Sequence, residues 1–294
     1  MEVKILDGKK VAVFLKDKLK EKISKLKEIG IVPGLAVVLV GDNSASKIYV
    51  KSKARSCKKL GIFSKTLNFA DDISQSELNS VIDELNNDDK IDGILVQMPL
   101  PSHLDESEII NKILPEKDVD GFHPINIGKL VIGEKSFVSC TPAGILEILK
   151  FYKISTEGKH VVIVGRSNIV GKPLLNLLYQ KSEFGNATVT ICHSRTKNLS
   201  DITKQADILI VATGRAGMIT ANMVKNESVI IDVGINRIAD STKEKGYRLV
   251  GDVEFEDVKK KVSAITPVPG GVGPMTIAML MKNTYEAAII HNKL

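Results

Sequence analysis

Apolar positions along the chain alternate between helical spacing and short unbroken runs. Val11, Leu15, Leu19, Ile23 and Leu26 recur at helical spacing among lysines and glutamates, predicting an amphipathic helix that ends near Gly30. Leu35 to Val40 is an uninterrupted apolar run of the kind that forms a strand buried on both faces. A turn at Gly41-Asp42-Asn43 and an N-cap at Ser44 open a helix that closes near Gly61. A strand over Phe63 to Phe69, a helix over Ser76 to Leu85 and a strand over Gly93 to Gln97 complete a βαβαβ pattern. Such alternation implies parallel strands with ligands at their C-terminal ends.

A second alternating series follows a loop from Pro115 to Pro124. Pro142 suits the first turn of a helix running through Ile145, Leu146 and Leu149. Strands are predicted over His160 to Val164, Ala187 to Cys192, Asp207 to Ala212 and Val229 to Val233, with helices over Pro173 to Gln180 and Met275 to Ile290. The uncharged run Val262 to Met281 is long enough to span a bilayer, but Pro267, Pro269, Gly270, Gly271, Gly273 and Pro274 would break a lone spanning helix. It reads as a buried loop leading into a helix, with no membrane association.

Composition narrows the function classes. The chain has 294 residues, enough for two ordinary domains or one large one, and its 43% apolar and 26% charged content is that of a soluble globular protein. Aromatics make up 4% with no Trp, so stacking platforms for single-stranded nucleic acid are not on offer. The net charge of +6 is spread along the chain without a dense basic block, so no nucleic-acid partner is expected. Cys57, Cys140 and Cys192 lie far apart without CxxC spacing, which suits reduced thiols in a cytoplasmic compartment. The histidines lack ligand spacing, so no metal site is expected. Charges in the first seven residues replace the apolar core of a signal peptide.

Candidate chemistry falls in two groups. Val161 to Val164 followed by Gly165-Arg166-Ser167-Asn168-Ile169-Val170-Gly171 is a strand, a glycine loop and a helix start, suited to a phosphate. Five residues separate Gly165 from Gly171, so by spacing alone a structural turn fits as well as a dinucleotide loop. The end of the next strand carries Ser194 and Arg195 where an NAD site usually carries an acid, and Arg166 adds a second cation. That set suits the 2′-phosphate of NADP; the alternative is two solvated arginines. Earlier in the chain, Tyr49 and Lys53 are four apart on one predicted helix, a donor beside a titratable amine, although Lys53 alone could be one more solvated lysine among Lys47, Lys51, Lys58 and Lys59. Short-chain dehydrogenases also carry a YxxxK pair, but after their glycine loop, the reverse of the order here. Gln97 closes an apolar strand, Asp118 and Asp120 sit on a loop where Asx-turns are common, and Pro267 to Thr276 forms a rigid turn into a helix.

Together these segments closely resemble the bifunctional methylenetetrahydrofolate dehydrogenase/cyclohydrolase family. The matching stretches, among them SKIYVKSKARSCKKLGI, DGILVQMPLP, PEKDVDGFHPINIGKL, VVIVGRSNIVGKP, CHSRT, DVGINR and TPVPGGVGPMTIAML, occur in the family's order from about residue 34 onward. The resemblance implies an α/β protein of two α/β domains, the second a Rossmann-type NADP-binding domain, with the C-terminal helix returning to the first. Residues 1–140, completed by 266–294, would form the catalytic, folate-binding domain and 141–265 the NADP domain. Lys53 would be the catalytic lysine with Gln97 beside it, Tyr49 would stack on the substrate, and Asp120 would hold the pterin nitrogens. Pro269, Gly270, Gly273 and Thr276 would line the folate site. Gly165, Arg166, Ser167, Ile169, Gly171, Ser194, Arg195 and Ile235 would bind NADP. The implied substrates are tetrahydrofolate derivatives, the implied assembly a homodimer. The rival readings are another two-domain oxidoreductase, which would not need KDVDG or PVPGGVGPMT, and a non-enzymatic dinucleotide module, which would not need Lys53 and Gln97 together.

Overall fold

The computed structural model describes residues 2–244 and 246–294. Strand β1 (Lys4–Ile5) leads into α1 (Gly8–Glu28), whose predicted apolar stripe is buried at Val11, Leu19, Ile23 and Leu26. Strand β2 (Gly34–Val40) is buried at every position. Helix α2 (Ser44–Leu60) is capped by Asn43 rather than Ser44: Asn43 Oδ1 accepts the Ser46 N–H at 3.1 Å, and Ser44 already lies inside the helix. Strand β3 (Phe63–Phe69) and helix α3 (Gln75–Asn86) follow, the latter opened by a reciprocal Ser74–Glu77 capping box. After β4 (Gly93–Val96) come two helices that the apolar spacing did not reveal, α4 (Glu106–Lys112), capped by Asp105, and α5 (Pro124–Ile132), capped by the His123 ring. Each is under ten residues, too short for a periodicity to register.

Helix α6 (Cys140–Phe151) begins the second series. It continues through β5 (His160–Val164), α7 (Gly171–Tyr179), β6 (Thr188–Cys192), α8 (Leu199–Thr203), β7 (Ile208–Val211) and β8 (Val229–Asp232). Then come an antiparallel hairpin of β9 (Asn236–Ala239) and β10 (Tyr247–Val250), α9 (Phe255–Val258), β11 (Ala264–Ile265) and α10 (Gly273–His291). The Val262 to Met281 run is thus a short strand, a turn and a helix start. Among the described residues no helix is long and apolar enough to cross a membrane.

The chain divides into two compact units. Residues 14–140 and 277–294 surround a parallel sheet of order β3-β2-β4, with Val38, Ile82, Leu85 and Ile94 in its core. The end of α10 is fastened inside this unit. Asn283 Nδ2 donates to the Val119 and Val138 carbonyls at 2.9 and 3.2 Å, and His291 Nδ1 lies 2.9 Å from Asp92 Oδ1. The other Asp92 oxygen accepts the Gly34 N–H at 2.8 Å, tying the last helix to the start of β2.

Residues 1–13 and 141–276 form the other unit, a parallel sheet of order β1-β11-β8-β7-β5-β6. The N-terminal residues and 266–276 therefore lie with the second series, not with the first as the resemblance implied. The reason is the pairing of Lys4 with Ala264 and Ile5 with Ile265, between strands of two residues each. The chain runs from β5 out to β6 and then back across β5 to β7, so the order reverses between β5 and β7. Such a reversal opens a crevice at the strand ends where ligands bind.

Asp92→Ala should strand the buried Gly34 N–H and free the His291 end of α10. Chemical denaturation should show a loss of about 1–3 kcal/mol; an unchanged midpoint would mean that Asp92 fastens nothing.

Candidate active site and dinucleotide loop

In the three-stranded unit, Ser46, Val50, Lys53, Cys57 and Leu60 form the buried stripe of α2, and Lys53 is only 8% exposed. Lys53 is therefore not a solvated lysine. Its Nζ donates to Gln97 Oε1 at 2.9 Å. Gln97 Nε2 donates to the Met98 carbonyl at 2.9 Å, which turns the amide oxygen toward the amine. The Gln97 backbone N–H bonds the Val38 carbonyl at 2.9 Å, continuing the β4 pairing one residue beyond the strand. Tyr49 lies one turn earlier on α2 and is half exposed, so its ring is available to a ligand.

The two loop aspartates have different roles. Asp118 is buried and accepts from the backbone N–H groups of Gly121, Phe122 and His123 at 3.1, 3.2 and 2.8 Å, and from Asn126 Nδ2 at 2.9 Å. It builds the loop. Gly121 has φ 71° and packs so closely on the Val138–Ser139 backbone that no side chain fits. Asp120 takes no part in those loop bonds. Its carboxyl is pushed up to about 6 by desolvation, against the attraction of Lys53 and with repulsion from Asp118. Burial likewise lowers the Lys53 amine from its ordinary value, opposed by the charge of Asp120 and by Cys140. The Cys140 thiol, held well above its usual range by burial, donates to the Val119 carbonyl at 3.6 Å.

In the six-stranded unit, Gly165 follows β5 with φ 133°, and a Cβ there would overlap the Ala212 carbonyl oxygen beyond β7. A Cβ on Gly171 would overlap the Gly165 carbonyl. The two glycines are thus required by close backbone packing at the switch between β5 and β7. Ser167 Oγ accepts the Val170 N–H at 3.2 Å, and α7 starts at Gly171 with no side chain capping it. Arg166, Ser167 and Ile169 are exposed on the loop, as are Ser194 and Arg195 past β6 and Ile235 past β8. The turn after β6 is fixed by His193 N–H to Thr196 Oγ1 at 2.9 Å and Arg195 N–H to His193 Nδ1 at 3.1 Å. Among the described residues neither Arg166 nor Arg195 forms an ion pair. A cradle that any Cβ would fill, with two uncommitted guanidinium groups and no acid, fits an NADP phosphate set.

The turn Pro267 to Gly273 is closed by Gly271 N–H to the Pro267 carbonyl at 2.7 Å, with Gly270 at φ 112° accepting the Lys9 N–H at 3.1 Å. Pro269 is exposed on it, and Thr276 Oγ1 lies 3.1 Å from Thr141 Oγ1. A Cβ on Gly273 would stand 3.4 Å from Ile235 Cδ1, so these two site residues are neighbours. The fold brings Lys53, Gln97 and Asp120 together in one unit, and the glycine loop, Ser194, Arg195, Ile235 and the 269–276 turn in the other. The sequence patterns did not single out Cys140, Asp232 or Asp252. Only the acids' position just beyond apolar runs could have pointed to the last two.

A parallel sheet with a glycine loop at its reversal point defines a dinucleotide-binding α/β protein, and a buried amine beside a part-buried amide and carboxylate offers groups for acid–base chemistry. Comparison with known proteins makes this specific. Residues 6–120 match the family description "Tetrahydrofolate dehydrogenase/cyclohydrolase, catalytic domain", and residues 139–292 match its "NAD(P)-binding domain". The "Bifunctional protein FolD" of Chlorobium chlorochromatii is 57% identical over 286 residues, covering 96% of this chain and 97% of that protein. The crystal structure of the bifunctional FolD enzyme from Campylobacter jejuni superposes with a TM-score of 0.93 at 50% identity, covering 99% of this chain and 100% of that one. The Trypanosoma brucei dehydrogenase-cyclohydrolase, solved with NADP cofactor and inhibitor, gives 0.94 at 35% identity with 100% of both chains covered. The chain belongs to the tetrahydrofolate dehydrogenase/cyclohydrolase family.

Asp120 makes a testable contribution to stability. Its folded pKa, about 6, lies above the ordinary 3.8, so the folded chain binds a proton that the unfolded chain has released. The resulting stability is fully present below 3.8 and is lost as pH rises through about 6. Relative to wild type, Asp120→Asn should therefore gain about 1–3 kcal/mol between pH 4 and pH 7. Parallel denaturation curves for both proteins at both pH values would contradict it.

Proposed function

We infer that the chain oxidises 5,10-methylenetetrahydrofolate to the 5,10-methenyl form with NADP and hydrolyses that product to 10-formyltetrahydrofolate. The observation that carries this reading is the Lys53–Gln97–Asp120 cluster, in a chain whose two halves match the two domains of the family. The folate unit is residues 14–140 with 277–294, and the NADP unit is residues 141–276 with the N-terminal strand. When bound, NADP supplies the acceptor for the hydride leaving the one-carbon bridge. Gly165, Ser167, Ile169 and Gly171 would hold it at the loop, Ile235 beyond β8, and Arg166, Ser194 and Arg195 at the 2′-phosphate.

The chain's own groups carry the proton chemistry. Asp120 accepts two N–H bonds from the pterin, and Tyr49 stacks on the substrate rings. Pro269, Gly270, Gly273 and Thr276 line the folate. Burial lowers the Lys53 amine from its ordinary value and so favours its neutral form, and the neutral amine takes a proton from the water attacking the methenyl carbon. It returns a proton to the pterin nitrogen as the carbon–nitrogen bond breaks; the hydroxyl proton leaves and the formyl group stays on the second nitrogen. Gln97 keeps the amine pointed at this carbon through its anchored oxygen. The protein works as a homodimer in the cytosol, where a reducing compartment suits its three buried free thiols.

An absorbance assay for methenyltetrahydrofolate formation tests the whole reading, run with NADP and with NAD. Lys53→Met should abolish hydrolysis of methenyltetrahydrofolate while NADP still binds. Hydrolysis close to wild type would remove Lys53 from the chemistry. Arg166→Ala with Arg195→Ala should raise the Michaelis constant for NADP by about tenfold or more per lost charged bond and leave that for NAD nearly unchanged. Equal use of NAD and NADP by the wild-type enzyme would refute the phosphate role.

A further inference from the structure

Asp252 and Asp232 lie at the C-terminal edge of the six-stranded sheet and are 0% and 3% exposed. Three donors converge on the Asp252 carboxylate. Its Oδ2 accepts the backbone N–H groups of Thr213 and Gly214 at 2.6 and 2.9 Å, and Oδ1 accepts Asn236 Nδ2 at 2.8 Å. Asp252 is itself held from behind: its backbone N–H donates to Asp232 Oδ1 at 3.0 Å, and Asp232 also accepts from Gly234 and Val253 at 2.9 and 3.0 Å. Among the described residues neither acid forms an ion pair. A buried carboxyl held by N–H groups alone is a costly way to close a turn, since an amide or a water could serve one or two donors.

What the carboxylate fixes is the turn directly after β7. Ala212, one residue before Thr213, presents the carbonyl against which Gly165 packs without room for a Cβ. The spacing between the β7 turn and the glycine loop is set by the Ala212 N–H to Val164 carbonyl bond at 2.8 Å and by the Ala212–Gly165 approach, with the Asp252 bonds holding the turn beside them. Asn236 extends the same carboxylate's hold to the segment after Ile235. We propose that Asp252 is a positioning residue for the dinucleotide, holding the turns after β7 and β8 so that the glycine loop keeps the shape that receives phosphate. It does not touch the cofactor. The inference rests on the NADP reading above.

Asp252→Ala removes the acceptor of all three bonds, whereas Asp252→Asn could keep them by facing its NH2 group to a rotated Asn236 amide. In the full-length Asp252→Ala enzyme, the Michaelis constant for NADP should rise about tenfold or more. The dehydrogenase kcat should fall less than that, and hydrolysis of methenyltetrahydrofolate, which needs no NADP, should stay within about twofold of wild type. Asn236→Ala removes a single bond and should raise the same constant by a few-fold; it decides alone if Asp252→Ala fails to fold. An unchanged constant, or equal loss of both activities in a folded variant, overturns the proposal. If wild-type enzyme shows no saturable NADP dependence, the cofactor reading fails. If wild type saturates and only the arginine variants lose affinity, the positioning role alone fails.

Discussion

A primary amine taken out of water loses its hydration and stays charged only if acceptors and an anion take water's place. That constraint governs the three-stranded unit. Lys53 reaches its position because α2 buries the stripe from Ser46 to Leu60 against the unit's core. Gln97 supplies the acceptor, and its own orientation is set by the Met98 carbonyl and by the β4 pairing. Asp120 supplies the anion, itself poised near its titration point at about 6. Each group moderates the other: the carboxylate raises the amine that burial lowers, and the amine lowers the carboxyl that burial raises. A stronger pairing would fix both charges and leave no proton to move.

Loops at the C-terminal ends of parallel strands carry ligands, and their backbone N–H groups still need acceptors. This chain answers with buried carboxylates. Asp118 holds three N–H groups and an amide in the loop that presents Asp120, while Asp232 and Asp252 hold the turns beyond β7, β8 and β10. Each organiser commits its lone pairs to the backbone and so is unavailable to a ligand. Asp120 differs in that its side-chain hydrogen bond is with the Cys140 thiol and its cationic neighbour is Lys53.

The long elements were legible in the sequence because their apolar periods run for several turns or fill a strand completely, as in α1 and β2. The short ones were not: β1 and β11 have two residues each, and their pairing decides which unit holds the N-terminus. At the helix start of α2, two adjacent residues could both cap, and only backbone geometry separates Asn43 from Ser44. The burial of Lys53 was recoverable, since Val50, Cys57 and Leu60 bracket it at helical spacing. Comparing Lys53 with Tyr49 alone hid this, because the helix turns Tyr49 toward solvent. The difference between Asp118 and Asp120 was beyond pattern, because both sit in one short loop and only hydrogen-bond partners tell them apart.

The placement of charge in the six-stranded unit follows from what each charge must do. A buried carboxyl must have its oxygens satisfied where it sits, and Asp232 and Asp252 use N–H donors rather than cations; burial, with repulsion from Asp252, still pushes the Asp232 carboxyl up to about 6 against those bonds. Using arginine there would have drawn a guanidinium into the sheet edge and away from the surface. Instead Arg166 and Arg195 stay exposed, and neither bonds to an acid among the described residues. An exposed guanidinium contributes little to folding when it has no partner. It retains its full hydrogen-bonding fork, whose N–H groups a phosphate's oxygens can accept bidentately. On the NADP reading proposed above, an acid at position 194 would repel the 2′-phosphate, so its absence counts in that proposal as much as the arginines do.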